Sequence, residues 1–180
     1  MRHRRAGKKL DRRKEERLAL ARNLTRSLFE RFGGKQEYIF TTITKAKWVK
    51  PWAERCITMG VKGYKELQKA ADANGTTVGE LRRQQREEKK KFKDLPPKVR
   101  EHLTKSIHYR RLVASRLRHA DAVTLLFEQI APRDLERPGG YLRVLRTDKR
   151  QKGDCALVAQ LSFVGTPEQP AAGGAAPAAR

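Results

Sequence analysis

The chain has 180 residues, with 42 Lys and Arg against 20 Asp and Glu, a formal net charge of +22 and a sequence pI near 10.7. A compact enzyme seldom carries so unbalanced a charge, because the folded state repels itself unless a polyanion neutralises it; nucleic acid is the first candidate and an anionic membrane surface the second. With 38 % hydrophobic residues, a mean hydropathy of −0.79 and no stretch near the ~18 apolar residues of a membrane span, the composition supports one small core and argues against several domains and against a membrane protein.

Residues 1–14 are nearly all polar, with Arg2, His3, Arg4, Arg5, Lys8, Lys9, Arg12 and Arg13 among them. Such a segment cannot fold alone. It is expected to be a basic arm that orders against phosphates, because it opens directly into a helix. Its acids, Asp11, Glu15 and Glu16, argue against a transit peptide. The helix is expected from about Arg13 to Phe32. Leu18, Ala21, Leu24, Leu28 and Phe32 recur at spacings of three and four, and Gly33-Gly34 stops it.

Glu37 to Thr42 reads as a strand. A threonine among Thr41, Thr42 and Thr44 then caps a helix with Ile43, Ala46, Val49, Ala53 and Ile57 on one face. Pro51 inside that helix predicts a kink or a break. Trp48 and Trp52 lie one turn apart, as core residues or as a base-stacking platform, with core packing favoured.

From residue 60 to 105 the periodicity weakens, punctuated by Gly60, Gly63, Asn74, Gly75 and Gly79. The stretch reads as an exposed, charged helical insertion, with Glu87 and Lys91 spaced for an ion pair and Pro96-Pro97 ending it. Tyr109, Leu112, Val113 and Leu117 mark a short helix studded with Arg110, Arg111, Arg116 and Arg118. Asp121 looks like the N-cap of the next helix, which carries Val123, Leu126, Phe127 and Ile130 and is closed by Pro132. Pro138-Gly139-Gly140 is a turn. Residues 141–146 and 157–163 then alternate as a hairpin whose connection holds Lys149, Arg150 and Lys152. Residues 165–180 carry six Ala, three Gly and three Pro and are expected to be a disordered, flexible tail. The expected division is an arm over 1–14, a single domain over 15–164 that includes the 60–105 insertion, and the tail.

No catalytic set survives inspection. Cys56 and Cys155 are far apart and make no C-x-x-C. His102 and His108 miss the four-residue spacing of helical zinc ligands, and no G-x-S-x-G or P-loop lysine is present. The chain is therefore expected to be neither an enzyme nor a metal or cofactor protein. Without an RRM signature, a KH loop or a C2H2 pattern, its basic residues are expected to read folded RNA by shape and backbone. Two alternatives are a nucleoid-type DNA-binding protein and a factor or enzyme acting on RNA. The first lacks helix-turn-helix spacing and the second lacks an acid/base set.

At this point several stretches become familiar. They are Met1-Arg2-His3-Arg4-Arg5 through Gly7-Lys8-Lys9-Leu10, then Arg22-Asn23-Leu24, then Thr41-Thr42 with Lys45-Ala46-Lys47, Pro51 and Ala53-Glu54. Arg110-Arg111-Leu112, Ser115-Arg116-Leu117, Ile130-Ala131-Pro132-Arg133 and Arg137-Pro138-Gly139-Gly140-Tyr141 follow in order. Together they resemble the bacterial large-subunit ribosomal protein family numbered seventeen. Asp11 stands where that family usually has glycine, and the 60–105 stretch is longer than its usual connection. The resemblance implies an α+β fold, a two-layer α/β domain running helix, strand, three helices and two strands around a small mixed sheet. It implies binding to 23S rRNA near the outer opening of the nascent-chain tunnel, beside neighbouring large-subunit proteins, as a monomer within the cytoplasmic ribosome, without cofactor or catalysis. Phosphate contacts carry over to Arg2, His3, Arg4, Arg5, Lys8, Lys9, Lys45, Lys47, Arg111, Arg116, Arg118, Arg133 and Arg137.

Overall fold

The first helix, the start of the second and the three strands fall where the sequence pattern places them. The computed structural model describes residues 8–87 and 95–165, so Arg2, His3, Arg4, Arg5, Lys91 of the proposed pair and the tail beyond residue 165 lie outside the described residues. The chain order is α1 (Lys14–Glu30), β1 (Tyr38–Thr42), α2 (Ile43–Ala73), α3 (Val78–Glu87), α4 (Pro97–Leu117) and α5 (Ala120–Leu125). A π-turn (Leu126–Ile130), α6 (Ala131–Arg133), β2 (Leu142–Arg150) and β3 (Leu157–Phe163) follow. Mixed α/β architecture with a small sheet agrees with the expectation, except that the sheet is not mixed. Its order is β1-β3-β2 and both pairings are antiparallel. The reason is topological. β3 returns by a hairpin from β2 and inserts beside β1, so the two strands that run in the same direction never meet.

One face of the sheet meets the helices. Ile39, Leu161, Leu142 and Phe163 join Leu28, Phe29, Val49, Ile57, Leu126, Phe127 and Ile130 in the main core. Full burial of side chains such as Phe29, Ile57 and Phe127 is worth roughly 1.5–3 kcal/mol each. The other face is open, and Phe40 on it is 52 % exposed. In β3 the expected alternation holds for Ala159, Leu161 and Phe163, while Leu157, at the hairpin end, is exposed.

α2 has 31 residues and is therefore about 46 Å long. It runs through Pro51 without a break. Pro51 is exposed, as is Lys47 four residues earlier, so water can take the carbonyl bond that the proline forfeits. Thr42 is its N-cap residue, without a side-chain cap bond. Trp48 and Trp52 are partly buried against the main core. Gly60 and Gly63, which look like punctuation, are interior to α2. A Cβ at Gly60 would lie 2.9 Å from Leu126 Cγ, and one at Gly63 would lie 2.7 Å from Phe127 Cε1 and 2.9 Å from Tyr109 Cβ. Both glycines let the α2 backbone pack directly on its neighbours.

The described parts of the 60–105 stretch, 60–87 and 95–105, are largely helical because α2 and α4 extend beyond the main core. Beyond the main core they enclose a second one of Leu67, Ala70, Ala71, Leu81, Val99 and Leu103. α2 ends at Asn74 and Gly75, the latter at φ +66°, as a left-handed helix stop does. α3 opens with a reciprocal cap: Thr77 N–H donates to Glu80 Oε2 at 2.9 Å and Glu80 N–H to Thr77 Oγ1 at 3.2 Å. Across the extension Glu66 Oε2 meets His102 Nδ1 at 2.8 Å, and Lys69 Nζ donates to Glu66 Oε1 at 2.8 Å. The bond from Lys69, then that from His102, holds the Glu66 carboxyl below its usual value of 4.5. A carboxylate with a depressed folded pKa adds stability above its unfolded pKa and loses it as pH falls through the folded value. Glu66→Gln is therefore expected to lower stability at pH 7 and to leave it unchanged near pH 2. Urea titrations at both pH values check this, and an equal loss at pH 2 would assign the effect to packing instead.

The α4–α5 corner corrects two expectations. Asp121 is not the N-cap; its side chain is 86 % exposed. His119 is, with extended backbone and with Nδ1 accepting the N–H of Ala122 at 3.3 Å. Nor does Pro132 close the helix. Residues 120–133 form a continuous helical run whose π-turn precedes α6, with Pro132 near the start of that last turn. The wider turn changes which carbonyls need partners just where the proline lacks an N–H.

Candidate nucleic-acid interface

The root of the arm is turned sharply before α1. Leu10 and Asp11 take φ +56° and +49° in succession, left-handed values that cost a non-glycine residue about 1–2 kcal/mol. Arg12 N–H donates to the Lys9 carbonyl at 3.2 Å, and the Arg17 guanidinium donates to the Lys8 carbonyl at 3.2 Å. Glu16 accepts the Arg13 backbone N–H at 3.3 Å and so caps α1. Lys8, Lys9, Arg12 and Arg13 are all exposed. Their charges project from a fixed turn.

The α4–α5 corner gathers a second group. Arg110, Arg111 and Arg118 rim a cavity of about 380 Å³ together with His119. Arg118 closes α4 at φ +53°, its N–H donating to the Ala114 carbonyl at 2.8 Å. Arg110 is fixed by Thr124 Oγ1 at 3.3 Å and by the Phe127 ring, whose centroid lies 5.7 Å from its guanidinium carbon. Arg116 turns inward, its guanidinium carbon 5.3 Å from the Trp52 ring centroid, and its carbonyl accepts from Arg22 Nε at 3.0 Å. Arg116 thus braces α1, α2 and α4 and is partly buried.

At the open end of the sheet, Lys45 on the first turn of α2 shares a cavity wall with Phe40, Val158 and Gln151 of the hairpin connection. Lys47, Lys149, Arg150 and Lys152 are exposed. The hairpin end is set by Ala156 N–H donating to Asp154 Oδ1 at 3.1 Å and by Gly153 at φ +100°. Positions a hundred residues apart in sequence thereby share one end of the sheet.

Arg133 and Arg137 sit differently. Arg133 is 3.2 Å from Glu37 Oε2 and 3.6 Å from Asp134 Oδ2, with its guanidinium 4.5 Å from the Phe32 centroid and 5.1 Å from that of Phe163. Arg137 Nε lies 4.0 Å from Asp134 Oδ1. Asp134 is buried. Burial pushes its carboxyl up, against the opposing pull of Arg133 and Arg137. Much of this pair's charge is directed at protein carboxylates.

The chemistry available is recognition. Among the described residues no three of His, Cys, Asp and Glu stand together as a metal site, and no helix is long and apolar enough to cross a membrane. Burial pushes the Cys56 thiol up to about 12, so it is no nucleophile. Exposed guanidiniums and ammoniums on fixed backbone suit phosphate oxygens, with arginine able to fork onto two at once. Sequence reasoning does not place Arg110 and His119 in this interface. They meet there because the left-handed turn at Arg118 folds His119 back beside α4, a turn that helical spacing in the sequence does not report.

Comparison with known proteins gives a consistent result. A family model described as Ribosomal protein L17 matches residues 20–164. The chain is similar to large ribosomal subunit protein bL17 of Acidobacterium capsulatum, 32 % identical over 169 residues, covering 94 % of this chain and 76 % of the relative. Its similarity to the bL17 protein of Allorhizobium ampelinum is 33 % over 164 residues, covering 91 % and 82 %. For that of Gemmatimonas aurantiaca it is 33 % over 164 residues, covering 91 % and 98 %.

Proposed function

Because the chain belongs to the ribosomal protein L17 family, and is accordingly a structural constituent of the large ribosomal subunit and not an enzyme, we propose that it binds 23S rRNA through phosphate contacts near the outer opening of the nascent-chain tunnel. One observation carries the RNA-binding part. Lys47, Arg111, Arg118, Lys149, Arg150 and Lys152 are exposed, and none has an ion pair among the described residues. A net charge of +22 held largely apart from acids needs an external polyanion, and rRNA supplies one at high density.

In this reading residues 1–14 are an arm that orders against phosphates, residues 15–164 are the single domain, and residues 165–180 are an Ala/Gly/Pro-rich tail. Arg2, His3, Arg4, Arg5, Lys8, Lys9, Arg12 and Arg13 serve the arm. Lys45, Lys47, Lys149, Arg150 and Lys152 serve the sheet end, and Arg111 and Arg118 the corner, which Arg116, turned inward on Trp52, braces from within. Arg133 and Arg137 contribute least, because carboxylates already attract them. The protein works as a monomer within the cytoplasmic ribosome, beside other large-subunit proteins.

Sedimentation of a lysate through sucrose at low and moderately high salt tests this. The protein is expected to travel with the large subunit and the intact ribosome in both conditions. Ultraviolet crosslinking within isolated large subunits should then join it to 23S rRNA near the tunnel exit. Crosslinks confined to RNA elsewhere in the subunit would refute the location, and recovery at the top of the gradient would refute stable RNA binding.

A further inference from the structure

We propose that the cavity at the α4–α5 corner receives a single unpaired nucleotide extruded from the ribosomal RNA; the proposal rests on the RNA-binding reading above and specifies one contact within it. The cavity, about 380 Å³, has two kinds of surface. Its wall is mostly apolar, with Ala114, Ala120 and Val123 in it, and Arg110, Arg111 and Arg118 also line it. Among the described residues no carboxylate lines it; Asp121 lies outside, 3.9 Å from His119 Nε2 and almost fully exposed.

This combination selects the ligand. A phosphate alone would be served by polar groups throughout and gains nothing from apolar walls. A protein side chain would not need three guanidiniums. An unstacked base gains from leaving water against apolar groups, while its own and the adjacent phosphates lie under the cationic rim. The volume is at the small end of small-molecule sites, which suits one nucleotide and not a stacked run. By contrast, the cavity of about 470 Å³ beside Arg133 and Arg137 is also lined by Asp134 and Glu136, which offset the two arginines and leave an anion no net positive charge to meet.

The corner is built to hold this shape. Arg110 leans between Thr124 and the Phe127 ring, which keeps its guanidinium at the corner. Arg118 is set by the left-handed turn that ends α4. His119 accepts the Ala122 N–H on Nδ1, which leaves its neutral ring with the proton on Nε2, a donor for a base edge or a phosphate oxygen.

The test fills the space without touching the charge. Ala114 is exposed on α4, so Ala114→Phe should fold normally, as a thermal melt will show. Full-length protein is bound to purified large-subunit rRNA, and the RNA is probed with base-specific and 2′-hydroxyl reagents. The wild type is expected to protect the Watson–Crick edge of one unpaired nucleotide. Ala114→Phe should return that nucleotide to full reactivity and weaken binding about tenfold, with the salt dependence of affinity unchanged. Arg111→Gln should instead reduce the salt dependence. If Ala114→Phe leaves every reactivity as in the wild type, the cavity takes no nucleotide although the RNA reading stands. If the wild type protects nothing, the RNA reading fails and this proposal with it.

Discussion

Gly63→Leu is expected to lower the stability of the folded chain by about 3 kcal/mol or more, the upper part of the range for overpacking a tight core. A single added carbon at this position would already sit 2.7 Å from Phe127 Cε1 and 2.9 Å from Tyr109 Cβ. The ring of Phe127 is fully enclosed and cannot swing aside, and the Tyr109 Cβ is fixed to the α4 backbone. The strain must therefore be relieved by separating α2 from α4 and from the π-turn. That movement would loosen both cores, since α2 and α4 line each of them. Leucine improves intrinsic helix propensity over glycine by up to about 1 kcal/mol, and this offsets only part of the loss. Chemical denaturation of both proteins provides the measurement. A variant within about 0.5 kcal/mol of the wild type, a margin typical of surface changes, would mean that the helices do not cross this closely.

These glycines also show where sequence reasoning ends. Periodicity locates α1, the start of α2 and all three strands, because each presents one apolar stripe to one core. It fails over 60–105, where α2 and α4 leave the main core and turn toward a smaller one built largely of Ala70, Ala71 and single leucines and valines. Small residues carry little hydrophobic signal, and Gly60 and Gly63 read as breakers when they are contact points. The Thr77-Val-Gly-Glu80 cap is legible but stands beside Gly79, which obscures it. His119 is a further case. Asp121 has the better side chain for an N-cap, yet position decides, and it sits two residues inside the helix. The interface is legible as residue types and not as grouping. Arg116 and Arg118 look equivalent in sequence, but one braces Trp52 and the other rims a cavity. That difference follows from helical phase and from the left-handed turn at Arg118, neither of which composition reports.

Removing residues 2–12 is expected to weaken binding to large-subunit rRNA by about a thousandfold near 0.1 M salt, with the difference shrinking toward 1 M. The deletion takes away Arg2, Arg4, Arg5, Lys8, Lys9 and Arg12 and keeps Arg13, whose N–H is capped by Glu16, so α1 retains its start. Each cation withdrawn from a phosphate should flatten the plot of log affinity against log salt by roughly 0.7–0.9; four or more such cations account for the thousandfold. Folding should hardly change, because among the described residues the main link from α1 to the arm is the exposed bond from Arg17 to the Lys8 carbonyl, and such surface interactions are worth little. The turn at Leu10 and Asp11 sharpens the prediction. Two successive left-handed residues cost about 1–2 kcal/mol each, so Asp11→Gly should relieve strain and remove an acid from the arm. It should therefore bind RNA at least as tightly as the wild type at every salt concentration. Filter-binding titrations across a salt series separate these effects: a truncated chain with an undiminished slope would show that the arm's cations do not meet phosphate, and the exposed basic groups of the folded domain would then have to supply the whole of the electrostatic affinity.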